Sequence, residues 1–313
     1  MIITVTLNPA VDKTVEIKDV HINRVNRVSS LRLDAGGKGI NVSKIVSSLG
    51  GKSRAIGFLG GKAGAFIKEY LDEIGIANDF IFVNGETRTN LKIVDPLQHT
   101  NTDINEIGPD ISAEDSKQMD KYISHSINKQ SVIVFSGSVP PNMGTDIYQK
   151  WIYSAKEKGA KTILDADGEL LRLGIEAGPY LIKPNIHELE RLLARKIESI
   201  EEAVECSRIL MEKYGIEIVV VSMGEKGALF LNKEVTILAE GIAVNVKSTV
   251  GAGDSMVAAL AYAIDEGYSF EKAAALAVAA GTANVMTCGT EPSSLKVIEE
   301  LEKQVKWKYL SDN

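Results

Sequence analysis

The sequence predicts an α/β fold in which helices cover both faces of a mostly parallel central sheet. Short β-rich runs alternate with amphipathic helical patterns along most of the 313 residues. Several of those runs, such as Val132-Ile133-Val134-Phe135 and Ile218-Val219-Val220-Val221, are apolar on both alternating faces. Such runs belong in a parallel sheet covered on two sides. Alternating elements of this size connect by right-handed crossovers into layers, and the length suits one large domain with a small appendage.

From the N-terminus, β-branched residues at 2–7 predict the first strand, and period-3.6 patterns predict helices at 40–49 and 63–74 around a strand at 53–58. A helix at 113–127 precedes the all-apolar strand 132–136. A helix at 145–158 then separates it from strands at 162–165 and 180–183. Asn185 reads as a helix start, followed by a helix at 200–214, a strand at 217–222 and helices at 255–265 and 270–285. Two stretches break the rhythm. Residues 15–34 and 87–107 alternate polar and β-branched side chains with little helical period, and read as short antiparallel strands. We expect them to form a small sheet or lid, spanning about 12–34 and 87–108, on a single domain of residues 1–313. Neither stretch has linker composition, and no repeat is present.

A net charge of −7 argues against a general binder of nucleic acid or anionic membrane, and leaves room for a local basic pocket. Cys206 and Cys288 are far apart and lack neighbouring His or Cys, so neither a disulfide framework nor a zinc site is expected. No apolar run approaches membrane-spanning length, and the first residues read as a strand instead of a leader; the expectation is a cytoplasmic protein.

Polar residues fall at the strands' carboxyl ends: Asn8, Gly137 with Ser138, Asp165 with Asp167, Asn185, and Ser222 with Gly224. In open parallel sheets ligands lie along that edge, although turn chemistry alone would also supply such residues. Thr249-Val250-Gly251-Ala252-Gly253-Asp254-Ser255 precedes an apolar helical run. A bare glycine turn at a helix start suits an anion, and Asp254 beside it suits a base; an ordinary helix start with an acidic first turn is the competing reading. Asp34-Ala35-Gly36-Gly37-Lys38-Gly39-Ile40-Asn41 also puts glycines ahead of a helix, without P-loop spacing. Arg88, Asn90 and Lys92 share one face of a strand, where Arg88 could hold a phosphate in two-pronged fashion. Arg24 and Arg27 add charge in the other lid segment. Asn185 and Glu188 have the spacing either of a capping box or of a pair organising hydrated magnesium. His187 reads as an exposed helix residue.

These motifs, in this order, resemble those of the PfkB-type, ribokinase-like carbohydrate kinases. The resemblance rests on Asn8-Pro9-Ala10-Val11-Asp12, Gly36-Gly37-Lys38-Gly39-Ile40-Asn41-Val42, Lys183-Pro184-Asn185 with Glu188, Ser222-Met223-Gly224-Glu225-Lys226-Gly227 and Thr249-Val250-Gly251-Ala252-Gly253-Asp254, and covers essentially the whole chain. Within the family it is most similar to the 1-phosphofructokinase and tagatose-6-phosphate kinase branch, through Thr4-Val5-Thr6-Leu7-Asn8-Pro9, Val25-Asn26-Arg27, Gly57-Phe58-Leu59-Gly60-Gly61 and Arg88-Thr89-Asn90.

The resemblance implies a three-layer α/β/α sandwich with a β-sheet lid. It implies transfer of a phosphoryl group from ATP to a ketohexose phosphate, fructose 1-phosphate giving fructose 1,6-bisphosphate, with Mg2+ as cofactor. Asp254 would be the base, and the N–H groups of Gly251, Ala252 and Gly253 the anion hole. Asp12, Gly37 and Asn41 would hold sugar hydroxyls, while Lys38, Arg27 and Arg88, with Asn90 and Ser138 nearby, would recognise the resident phosphate. Asn185 and Glu188 would organise magnesium; Lys183, Asn185, Ser222, Gly224, Gly227 and Asn284 would border the nucleotide. A homodimer through the lid is implied as well. Many ribokinases carry an aspartate, tied to monovalent-cation activation, where this chain has Ser248, which argues against potassium activation. A tagatose-6-phosphate kinase or a promiscuous phosphosugar kinase is the near alternative, and a non-catalytic sugar-phosphate-binding regulator the distant one, at odds with an intact Asp254.

Overall fold

The computed structural model describes residues 1–311. Its strands are β1 (Ile2–Thr6), β2 (Ala10–Glu16), β3 (Ser30–Gly36), β4 (Ser53–Gly60), β5 (Ala77–Val83), β6 (Arg88–Asp95), β7 (Thr100–Asn105), β8 (Val132–Ser136), β9 (Lys161–Asp165), β10 (Leu181–Ile182), β11 (Ile218–Ser222), β12 (Ala228–Leu231), β13 (Thr236–Ala239) and β14 (Trp307–Leu310). Its helices are α1 (Lys38–Ser48), α2 (Gly61–Glu73), α3 (Ala113–Ser126), α4 (Ile147–Glu157), α5 (Gly168–Glu176), α6 (Ile186–Leu193), α7 (Ile200–Tyr214), α8 (Ala252–Glu266), α9 (Phe270–Val285) and α10 (Leu295–Glu302).

Ten strands form one sheet in the order β14-β13-β12-β11-β10-β9-β8-β1-β4-β5. Neighbours from β11 to β5 run parallel, and β12 to β14 extend the sheet antiparallel. Alternate residues of each strand feed two cores. Ile3, Val5, Ile133 and Phe135 pack with Met119, Tyr148, Trp151 and Leu210 on one side. Ile2, Val132 and Val134 pack with Val42, Val257 and Leu276 on the other. This confirms the layered α/β class, with the period-2 pattern of each strand sorting side chains between the layers. Helix α9 is buried almost all round, so it reads apolar on every side, and its alanines and Gly281 let α8 approach closely.

Four strands form a second sheet in the order β3-β2-β6-β7. The two rhythm-breaking stretches were expected to pair antiparallel. The outer pairs do, but the central pair β2 and β6 is parallel, with Asp12 opposite Asn90. The cause is topological: α1, β4, α2 and β5 intervene, so the chain re-enters the small sheet in its original direction, where a tight hairpin would have reversed it. Residues 180–183 yield only the two-residue strand β10, ahead of Pro184. Helices α5 and α10 and strands β5, β13 and β14 were not anticipated; most are short, with little room for periodicity to show. Among the described residues, no helix is long and apolar enough to cross a membrane.

Candidate active site

Helix α8 begins after Gly251, whose φ of +86° is left-handed and whose side any Cβ would crowd, Asn284 Oδ1 lying 3.1 Å from that position. No side chain caps this helix start. Asp254 stands in the first turn, buried, and the Asn41 amide Nδ2 donates to its Oδ2 at 2.8 Å across 213 residues of sequence. Burial is the main influence on this carboxyl and raises its pKa; Lys38 opposes, Asp165 adds to the rise, and the Asn41 bond and Lys183 oppose. A carboxylate raised in this way and fixed by one amide is a stronger proton acceptor than a solvated one.

Next to it lies a charge cluster around the buried Asp165. Lys38 Nζ meets Asp165 Oδ2 at 3.2 Å, and Lys183 Nζ meets Asp165 Oδ1 at 3.4 Å. Burial alone would push the Asp165 carboxyl up, but Lys183 and Lys38 together hold it below the usual carboxylate range. The Lys38 ammonium is raised, first by Asp165, against desolvation, and further by Asp254 and Glu188. Its stem passes over Gly137, where a Cβ would come within 3.6 Å.

A second cluster sits where the small sheet meets the ends of β1 and β8. Asn90 Nδ2 donates to Asp12 Oδ1 at 3.0 Å. Arg88 donates through Nη2 to the Asn8 carbonyl at 2.9 Å and to Ser138 Oγ at 3.3 Å. Desolvation and, less strongly, Asp34 raise the Asp12 pKa, while Asn90, Lys44 and Arg88 oppose. Gly36 lies so close that any Cβ there would overlap the Asp12 carboxylate. Asn41, bound to Asp254 through Nδ2, keeps a buried Oδ1 with no hydrogen-bond partner.

On the far side of Asp254, Asn185 and Glu188 form the capping box of α6, Glu188 N donating to Asn185 Oδ1 at 2.9 Å and Asn185 N to Glu188 Oε2 at 2.8 Å. Asn185 bridges to Ser222, which joins the ends of β10 and β11. Gly224 opens a short turn, whereas Gly227 is explained by packing, since a Cβ would run into the Ala239 carbonyl. Asn284 is buried against Gly251 with both amide atoms unpartnered. Arg27 is not joined to the rest. It is exposed in the loop between β2 and β3, in a hollow of about 350 Å³ shared with Lys18, His21 and Asn26. Among the described residues, no group of three or more His, Cys, Asp or Glu side chains is placed to hold a metal.

A buried carboxylate at a glycine-turn helix start, together with Lys38, Lys183 and Arg88, is an arrangement that suits transfer to a hydroxyl. The description "pfkB family carbohydrate kinase" matches residues 5–296. The chain belongs to this pfkB family. It is 40% identical over 287 residues to a 1-phosphofructokinase of Borreliella burgdorferi, covering 91% of this chain and 92% of that one. It is 34% identical to a tagatose-6-phosphate kinase of Staphylococcus epidermidis over 97% and 98% of the two chains. The crystal structure of phosphofructokinase-2 from Escherichia coli in complex with fructose-6-phosphate superposes with a TM-score of 0.91 at 27% identity, covering 97% and 98%.

Two side chains in this pfkB chain escaped the sequence reading as members of the site. Asp165 was visible only as one more polar residue at a strand end, and nothing local reveals that it bridges two lysines distant in sequence. Lys44 continues the three-residue spacing of Lys38 and Asn41 along α1, which is the one signal that could have found it.

Proposed function

We propose that this chain transfers the terminal phosphoryl group of ATP to a hydroxyl of fructose 1-phosphate, forming fructose 1,6-bisphosphate and ADP. The observation that carries the reading is the buried Asp254 carboxylate, held by Asn41 at an uncapped helix start. In the reaction Asp254 takes the proton of the attacking hydroxyl, the new O–P bond forms, and the bond to the departing ADP oxygen breaks. The N–H groups of Gly251, Ala252 and Gly253 stabilise charge on the transferred group. Asp12, Gly37 and Asn41 orient the sugar, and the orphaned Asn41 Oδ1 supports an added hydroxyl donor there. Arg88 and Ser138 take the resident phosphate. The pairing of Lys38 with Asp165 favours a role for Lys38 on the transferred phosphoryl over one beside Arg88. Arg27 stays a phosphate ligand only if the loop between β2 and β3 moves or a second subunit presents it.

Magnesium bound to the ATP phosphates would neutralise charge on the transferring group, and such an ion keeps most of its waters. Glu188 fits it as a single carboxylate whose charge already reaches Lys38; the capping box fixes its orientation. Lys183, Asn185, Ser222 and Gly224 then line the nucleotide, with Asn284 and its two free amide atoms. A coupled ADP-release assay across fructose 1-phosphate, fructose 6-phosphate and tagatose 6-phosphate tests the reading. Fructose 1-phosphate is expected to give the highest kcat/KM. A preference for tagatose 6-phosphate would favour the activity of the Staphylococcus epidermidis relative, and no turnover on any of the three would sink the kinase.

We also read the small sheet as a lid that pairs with a second copy of the chain. Its register separates two faces: Asp12, Asp34 and Asn90 line one, and Leu31, Leu33, Leu91 and Ile104 line the other. Leu31, Leu33 and Ile104 are 54%, 45% and 52% exposed, apolar side chains that share this face with Lys13. Leu33→Glu with Ile104→Glu is expected to convert a dimer into a monomer by light scattering after gel filtration; an unchanged mass would place the contact elsewhere.

A further inference from the structure

Lys44 is an α1 lysine with only 4% of its surface exposed, and the reaction as described does not use it. Its Nζ donates to the Ala35 carbonyl at 2.9 Å, directly ahead of the Gly36-Gly37 turn, and to Thr290 Oγ1 at 3.3 Å. Thr290 lies in the loop after α9, the helix that carries Asn284, and the same loop packs Gly289 against the Arg32 guanidinium. The lysine thus joins the strand end of the sugar side to the loop of the nucleotide side.

The charges around it come from three other elements. Asp34 and Arg32 face it from β3, Asp12 from β2 and Asp254 from α8. Asp12 is faced in turn by Asn90, Asp34 and Arg88 as well as Lys44, and Asp254 by Lys38, Asp165, Asn41 and Lys183. Asp12 and Asp34 stand opposite each other on β2 and β3, and two such carboxylates resist ionising together without a cation beside them. Lys38 is pinned to Asp165, and Arg32 is paired with Asp34 at 2.8 Å. Lys44, like Arg88, touches no carboxylate directly, and it is the buried one of the two.

We infer that Lys44 is a positioning residue for phosphoryl transfer: its ammonium locks the Gly36-Gly37 turn to the Thr290 loop and stands as a fixed positive charge beside Asp12 on the sugar side. Desolvation lowers the Lys44 pKa, and Asp34, Asp12 and Asp254 oppose the drop, the balance expected for a buried cation surrounded by anions. The inference rests on Asp254 acting as the base, whichever phosphosugar is the substrate.

The test is titration of 13C-labelled aspartate carboxyls in the full chain, comparing the unaltered protein with Lys44→Met and Lys44→Arg and assigning Asp12 through Asp12→Asn. Lys44→Met is expected to move the Asp12 titration up by about one pH unit, and Lys44→Arg by much less. In parallel, the acid limb of kcat/KM should move upward in Lys44→Met, with KM for the phosphosugar rising about tenfold and KM for ATP nearly unchanged. A Lys44→Met protein that titrates like the unaltered one, altered only in thermal stability, would reduce Lys44 to a packing residue. Should Lys44→Met not fold, Lys44→Gln takes its place, with the same upward move of the Asp12 titration expected and an unmoved titration overturning the inference. The titrations need no turnover, so the two failures are distinguishable: an inactive protein refutes the kinase reading, whereas an unmoved Asp12 titration in an active protein refutes the role of Lys44.

Discussion

Asp254→Asn is expected to lower kcat by at least ~10²-fold, in line with loss of a general base, while leaving the affinity for phosphosugar within a few-fold. Asparagine keeps the size of the side chain and an oxygen for Asn41 Nδ2, which now donates to Asp254 Oδ2 at 2.8 Å, so the helix start need not rearrange. What it removes is the proton acceptor. The same substitution should not destabilise the fold. Burial raises the folded pKa of Asp254 above its unfolded value, so the folded chain binds that proton more tightly than the unfolded chain does. The associated stability is present at acid pH and is lost as pH rises through the folded value. At neutral pH the ionised carboxylate is therefore a net cost, and asparagine relieves it. Steady-state kinetics and a thermal melt on one preparation decide the matter. Falling kcat with an equal or higher Tm supports the base; near-normal kcat removes the assignment.

The raised pKa has a second consequence. The acid limb of kcat/KM should lie above the ordinary carboxylate range, since Asp254 must shed its proton before it can accept another. Lys38 opposes the rise, so removing its charge should move the limb further upward.

The central sheet was legible because its strands are buried on both faces and carry apolar residues at consecutive positions, as β8 and β11 do. Helix α7 was readable to the residue, with Ser199 as N-cap and Gly215 at its end. The parallel pairing of β2 with β6 was not legible. A four-residue turn between two runs signals a hairpin, but a return through two helices and two strands leaves no mark on either run. The site divides the same way. Glycine turns announce themselves because backbone conformation limits the residue type, as at Gly251. The links from Asn41 to Asp254, from Asp165 to two lysines and from Lys44 to Thr290 are side-chain contacts across the fold, and only the packed chain makes them. Asn185 and Glu188 show the limit of motif reading: the capping spacing and the magnesium spacing are the same spacing, and the structure fills the first.

Arg88→Ala should raise KM for the phosphosugar by about 10- to 100-fold, the range for losing charged hydrogen bonds to a phosphate, with KM for ATP changed several-fold less. The guanidinium is already oriented, with Nε and Nη2 donating to the Asn8 carbonyl at 3.2 and 2.9 Å and Nη2 to Ser138 Oγ at 3.3 Å. Those neutral acceptors hold the fork without neutralising it. Desolvation lowers the Arg88 pKa and Asp12 opposes, so a partly buried positive charge stands there without a direct carboxylate partner. An incoming phosphate dianion would supply that partner, and two-pronged binding favours arginine over a point charge. Arg88→Lys therefore separates the explanations. If Arg88 only braces the junction of β1, β6 and β8, alanine and lysine should lower Tm and raise both KM values alike. If it binds the resident phosphate, lysine should recover part of the phosphosugar affinity, and Ser138→Ala should weaken the same substrate more mildly. Inorganic phosphate should then compete with the phosphosugar in the unaltered protein and lose that competition in Arg88→Ala. Equal losses for both substrates would assign Arg88 to the scaffold and move the phosphate to another cation.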